Sequence, residues 1–163
     1  ENGAGKSTLI RILMGALRPD SGTAAALGVD VSAPDFLDAK EDIGVVLDEA
    51  YFPESLNALQ VGRIMSKTYR RWDESAYGAF LRRFELPEKK AFKDFSRGMK
   101  MKLAIATALA HDPKLLVLDE ATAFLDPENE EKMNAAIAEV IRGKTVIVIA
   151  HRLQSIAGAD PAS

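Results

Sequence analysis

Glu1-Asn2-Gly3-Ala4-Gly5-Lys6-Ser7-Thr8, the opening of the chain, leads straight into Leu9, Ile10, Leu13, Met14 and Leu17 at helical spacing. The apolar pattern stops at Arg18-Pro19-Asp20-Ser21-Gly22, a turn by composition. A glycine-rich loop feeding a helix presents free backbone N–H groups to an anion. In the pattern G-x-x-x-x-G-K-[ST] the backbone cradles phosphates, the lysine reaches the outer phosphates and the hydroxyl binds Mg²⁺. Gly5, Lys6 and Ser7 fill the last three positions, with Asn2, Gly3, Ala4 and Thr8 in the same loop. The first glycine would precede Glu1, so the true N-terminus is expected to be missing. A chance glycine-rich turn before a helix is the competing reading, and the rest of the chain decides between them.

Working outward, Thr23 to Val29 reads as a short strand, Pro34 to Lys40 as a short helix, and Ile43 to Leu47 as a buried strand ending at Asp48-Glu49. From about Ser55 to His111 the pattern is helix only, with Leu59 to Tyr69, Asp73 to Phe84 and Ser96 to Leu109 as candidates. Strand Leu115 to Leu118, helix Pro127 to Ile141 and strand Thr145 to Ile149 then follow. Strands alternating with helices predict an α/β fold, a P-loop-type parallel sheet with helices on both faces, whose ligands sit at the carboxyl ends of strands. The helix-only stretch predicts an α-helical insert at about 48–112 within a core formed by 1–47 and 113–163.

Bulk properties narrow the function classes. At 163 residues the chain suits one domain with a real core, and 47% hydrophobic against 28% charged residues fits a folded protein. No apolar run approaches the roughly 20 residues of a spanning helix, so a membrane role requires a partner. The net charge of -3, with Lys and Arg spread along the chain, gives no support for nucleic-acid binding. Zero cysteines exclude disulfides and thiolate metal sites, and two distant histidines make a zinc site improbable.

Leu115-Leu116-Val117-Leu118-Asp119-Glu120 is an apolar strand ending in two carboxylates. Such a strand, the Walker B pattern, supports Mg²⁺ through its aspartate, Asp119. Glu120 is placed to polarise an attacking water as general base. Alone this is an ordinary buried strand with a charged exit; behind a phosphate loop it becomes half of a nucleotide site.

Between the two motifs lies Phe95-Ser96-Arg97-Gly98-Met99, and here the chain resembles ATP-binding cassette (ABC) ATPase domains. The stretch is similar to their L-S-G-G-Q signature: Ser96 and Gly98 match, while Phe95, Arg97 and Met99 depart. Read without the family, Ser96 is an N-cap for the following helix, and both roles can hold together. Ala123-Phe124-Leu125-Asp126 resembles the D-loop, with Leu125 and Asp126 matching; Asp126 also reads as a helix cap before Pro127. His151, in Ala150-His151-Arg152-Leu153, matches the switch histidine that contacts the γ-phosphate. Asp48 stands where the family carries the Q-loop glutamine; it keeps an oxygen ligand for Mg²⁺ with a shorter reach, or simply ends the strand.

The resemblance implies ATP and Mg²⁺, a second ABC domain whose signature completes the site, and a transmembrane permease subunit or domain driven by hydrolysis, with export the favoured direction. It implies a cytoplasmic location against the inner face of a bacterial membrane. The stretch Lys40 to Leu103 resembles separately encoded ATPase subunits, whereas Asp119-Glu120-Ala121-Thr122 onward looks like exporters with a fused ATPase. A join near the Leu-Asp-Glu segment, by recombination or faulty fragment assembly, would account for both. The family's upstream β-subdomain, with its adenine-stacking aromatic, and the strand entering the phosphate loop lie outside the sequence. An exposed sheet edge and an unstable isolated chain are therefore expected. Two further readings stay open: a soluble ABC ATPase acting on ribosomes or DNA, and a catalytically silent remnant.

Overall fold

The computed structural model describes residues 5–47, 52–119, 138 and 144–149. Helix α1 spans Lys6–Leu13. It is shorter than the apolar spacing predicts: Ala16 N–H returns to the Arg11 carbonyl at 2.8 Å, closing the helix before Leu17. Ile10 is buried, whereas Leu9 and Leu17 stay exposed and add nothing to the core.

The stretch read as one strand over Thr23 to Val29 is instead a tight hairpin. Strand β1, Ala25–Ala26, pairs antiparallel with β2, Val29–Asp30. Leu27 and Gly28 between them both have positive φ, 52° and 80°. Two left-handed residues in a row match the right-handed twist of flanking strands, and glycine adopts that conformation without a Cβ penalty.

Helix α2, Phe36–Ala39, and a 3₁₀ turn over Lys40–Asp42 lead into β3, Ile43–Val46. The helical stretch follows as α3, Ala58–Met65, α4, Glu74–Arg83, a 3₁₀ turn at Phe92–Asp94, and α5, Arg97–Leu109. Each of α3, α4 and α5 begins at a side-chain cap. Asn57 accepts from Gln60 N–H while the Gln60 side chain accepts from Asn57 N–H, a reciprocal capping box. Asp73 accepts from Ala76 N–H at 2.9 Å, and Ser96 Oγ from Met99 N–H at 3.2 Å.

Strands β4, Leu115–Asp119, and β5, Thr145–Ile149, complete a parallel sheet of order β3-β4-β5 among the described residues. Ile43 pairs with Leu115 and Val46 with Leu118; Leu115 pairs with Thr145 and Asp119 with Ile149. Strand β4 alternates strictly. Leu115 and Val117 join Ile10, Val31, Phe36 and Ile43 in one apolar cluster. Leu116 and Leu118 join Val46 and the helices α3 to α5 in the other. Both sheet faces are thus covered, which is why β4 reads as an unbroken apolar run. Of the helix expected at Pro127 to Ile141, only Ala138 is among the described residues, and it is helical.

Candidate nucleotide site

Gly5 opens α1 with φ 75° and ψ 4°, and no side chain caps the helix there. Space is not the reason for glycine, since a Cβ would meet nothing within 4 Å; the left-handed backbone is. Gly5 has no side chain to satisfy the first N–H groups of α1, at the end where the helix dipole favours negative charge. This arrangement suits a phosphate. The backbones of Lys6 and Ser7 form the first turn, and Thr8 is exposed beside them. Asn2, Gly3 and Ala4 lie outside the described residues.

Register sets the other half of the site. Parallel pairing levels the carboxyl ends of the strands, so the chain leaves the sheet at Leu47, Asp119 and Ile149 along one edge. Adjacent strands run about 4.8 Å apart. Asp119 therefore ends β4 directly beside Ile149 of β5. Asp48, Glu120 and His151, which follow these strand ends in sequence, lie outside the described residues, as do Leu125 and Asp126.

Ser96, Arg97, Gly98 and Met99 form the first turn of α5. The N-cap reading of Ser96 holds in the structure, because its Oγ accepts from Met99 N–H; the hydroxyl hydrogen stays available to donate. Two departures from the signature pattern have packing reasons. Phe95 is buried, 6.0 Å from Phe92 ring to ring, and Met99 packs against the helical core. Lys100 Nζ sits 4.9 Å from the Phe92 ring centroid, a cation–π contact that ties the start of α5 to the preceding 3₁₀ turn.

At the opposite, amino end of the sheet, sequence reasoning overlooked a charged cluster. Asp42, just before β3, pairs with Arg71 and accepts from Lys114 Nζ at 2.7 Å. The hydrogen bond from Lys114, reinforced by the Arg71 charge, holds its carboxyl below the usual carboxylate value against the opposing effect of burial. Asp112 is likewise lowered by its bond from Lys144. His111 lies fully buried among them. These residues are scattered over some 100 positions of sequence with no shared motif, so only folding brings them together.

An uncapped left-handed loop-to-helix junction, a parallel sheet covered on both faces and a carboxylate at the end of its central described strand define a P-loop nucleotide-binding domain. The family profile described as ABC transporter matches residues 1–123, and the chain belongs to that family. It is 41% identical to the Beta-(1-->2)glucan export ATP-binding/permease protein NdvA of Bradyrhizobium diazoefficiens, over 96% of this chain and 27% of the relative. It is 35% identical to mouse ATP-binding cassette sub-family B member 5, over 98% of this chain and 13% of that protein. Among solved structures, a bacterial Atm1-family ABC exporter with ATP bound superposes with a TM-score of 0.80 at 27% identity, covering 98% of this chain and 30% of the exporter. The chain thus spans about a quarter of the length of its bacterial glucan-export relatives and less of the mouse protein. Among the described residues, no helix is long and apolar enough to cross a membrane.

Proposed function

We propose that this chain is the ATP-hydrolysing part of an exporter, converting nucleotide binding and hydrolysis into movement of a transmembrane permease. The observation that carries the reading is the uncapped, left-handed Gly5 junction at the start of α1, which leaves an anion-ready helix end. In this reading Lys6 and the backbone of residues 2–8 hold the phosphates. Ser7, Asp119 and Asp48 supply oxygen ligands for Mg²⁺, which offsets phosphate charge when bound. Asp48 reaches less far than a glutamine would, so its contact is direct or through water.

Glu120 accepts the proton of the attacking water, and His151 holds that water against the γ-phosphate. Positioning and charge stabilisation supply most of such catalysis, which explains why the site needs several fixed polar groups and no covalent nucleophile. Ser96, Arg97, Gly98 and Met99, with Leu125 and Asp126, complete the site of a second ABC domain across a dimer. The division into a core of 1–47 and 113–163 and a helical part of about 48–112 would let the two parts move with nucleotide state. The likeness to the glucan exporters and to the Atm1-family exporter supports export over import, and a place on the inner face of the membrane follows from the permease partner.

The test is equilibrium binding of a fluorescent ATP analogue with Mg²⁺, beside Lys6→Ala. Binding that disappears in the variant supports the phosphate loop as drawn. Equal binding by both proteins would overturn it. Turnover measured in the full-length transporter then separates the roles: Glu120→Gln should bind ATP and fail to hydrolyse it.

A further inference from the structure

His111 follows the end of α5 and is fully buried, yet it takes no part in the nucleotide site. Its ring lies flat on Tyr69, centroids 3.9 Å apart and planes 11° from parallel. Its Nε2 is 3.3 Å from the Ile43 carbonyl, so Nε2 carries the hydrogen and donates it. Nδ1 is then a bare lone pair, buried and without a hydrogen-bond partner. One imidazole thus touches three places: the end of α5, the first residue of β3, and the segment between α3 and α4.

That segment is held to the sheet by few other contacts. Arg70 N–H donates to Glu41 at 3.0 Å, Arg70 pairs with Asp38, and Arg71 pairs with Asp42 and donates to the Glu41 carbonyl at 3.1 Å. Asp73 N–H donates to the Ala110 carbonyl at 2.9 Å. The Arg70–Asp38 pair is largely exposed on both sides and contributes little. His111 is the buried member of the set.

We propose that His111 is a proton-sensitive latch that fastens the segment Tyr69–Asp73 and the end of α5 to the amino end of β3, and that protonation of its imidazole releases them. A proton can add only at Nδ1, where it would create a buried charge whose neighbouring acceptor, the Thr107 carbonyl, is not aligned to take up the new N–H in a normal hydrogen bond. Among the described residues, the titratable and charged groups around the ring are Tyr69 and Arg71 from the segment, Glu41 and Asp42 from the 3₁₀ turn, and Asp112 on the ring's own connection. Burial is the largest influence and holds the His111 imidazole below its ordinary value, with the Arg71 charge acting the same way. The Ile43 and Thr107 carbonyls and Glu41 oppose it without prevailing.

The sign follows from linkage. The open state binds a proton more readily than the closed one, so the latch is fully effective above about pH 6.5 and weakens as pH falls toward the folded-state pKa. Between those limits the closing equilibrium loses about tenfold per pH unit. The elements it secures also carry Ser96–Met99 at one end of α5 and Asp48 after β3. The inference does not depend on the nucleotide reading.

The test is amide hydrogen exchange on the full chain between pH 7.5 and 5.5, corrected for the intrinsic pH dependence of exchange, in a His151→Gln background that removes the second histidine. Protection of the Arg70 and Asp73 amides should fall by up to about tenfold per pH unit, while amides inside α4 hold theirs. In His111→Phe, which stacks on Tyr69 and cannot take a proton, the fall should vanish; His111→Gln serves if the phenylalanine variant does not fold. Imidazole titration by NMR needs no variant at position 111 and should show His111 neutral at pH 7, with its hydrogen on Nε2. An unchanged fall in the position 111 variants, uniform loss across α4, or His111 titrating at the ordinary value would each overturn the latch.

Discussion

Gly44 lies in β3 where the strand packs closely against the end of α5, and replacing it with alanine tests whether that approach is as tight as the structure shows. A Cβ there would stand 2.7 Å from the Ala108 carbonyl oxygen, 3.0 Å from Pro113 Cγ and 3.1 Å from Leu116 Cδ1. Carbon-to-oxygen contacts normally begin near 3.3 Å, so α5 or β3 must yield by roughly 0.6 Å. The Ala108 contact is a backbone carbonyl in the last turn of α5 and Pro113 is a rigid ring, so neither gives way as a flexible side chain would. Overpacking of this kind costs about 1–3 kcal/mol, and alanine recovers about 0.5–1 kcal/mol of backbone entropy. The net expectation is a loss of about 1–2 kcal/mol, which lowers Tm by roughly 2–8 °C for a chain of this size. Urea or thermal unfolding of the full chain measures it. Gly78→Ala is the control: inside α4 its Cβ would meet only Arg82 Nη1, at 3.4 Å. That variant should gain about 0.5–1 kcal/mol from helix propensity. If Gly44→Ala is as stable as the parent, or if the two variants shift in the same direction, the close packing of α5 on β3 is wrong.

Three further outcomes follow from named contacts. Tyr77 is buried and its hydroxyl donates to the Ala58 carbonyl at 2.8 Å, joining α4 to α3; Tyr77→Phe should cost about 0.5–1.5 kcal/mol in denaturant unfolding, and a neutral result would dismiss the bond. Ser96→Ala removes the cap of α5 and should lose about 1 kcal/mol, whereas Ser96→Asp, which restores the acceptor, should recover most of it. Asp42 has its carboxyl lowered from 3.8, chiefly by the bond from Lys114, so its contribution is complete above that pH and is lost as pH falls through the folded value. Unfolding midpoints between pH 5 and 2 should therefore fall less steeply in Asp42→Asn; equal slopes would show that the Lys114 and Arg71 contacts do not persist in solution.

The elements most legible in the sequence were those with a strong local signal. The apolar run Leu115 to Leu118 and the helix after Ser96 fall within a residue of their observed limits. A run buried on both faces needs no alternation to be recognised, and a Ser cap marks a helix start by itself. The hairpin at Leu27-Gly28 was missed because Leu-Gly lacks the usual Asn-Gly or Asp-Gly signal, so a two-residue turn passed for the middle of one strand. In α1, the apolar spacing continued to Leu17 although the helix stops at Leu13; periodicity reports an apolar stripe and does not reveal where the backbone turns away. Gly5, Lys6, Ser7 and Asp119 were legible from motif order, and the structure adds the left-handed junction and the strand register that levels Asp119 with Ile149.

By itself, the sequence determined the family and, among the described residues and apart from the β1–β2 hairpin, the order of strands and helices, and it singled out residues of the types suited to phosphate chemistry. Each of these rests on neighbours in the chain: a glycine before a lysine, a cap before a helix, carboxylates after an apolar run. Tertiary structure alone decided which face of β4 meets which helices, that Gly44 abuts Ala108, and that Tyr69, Ile43 and His111 meet in one buried contact. The physical reason is range. Backbone propensities and caps act over a few residues, whereas burial of a histidine or closure of an ion pair depends on segments tens of residues apart reaching the same place.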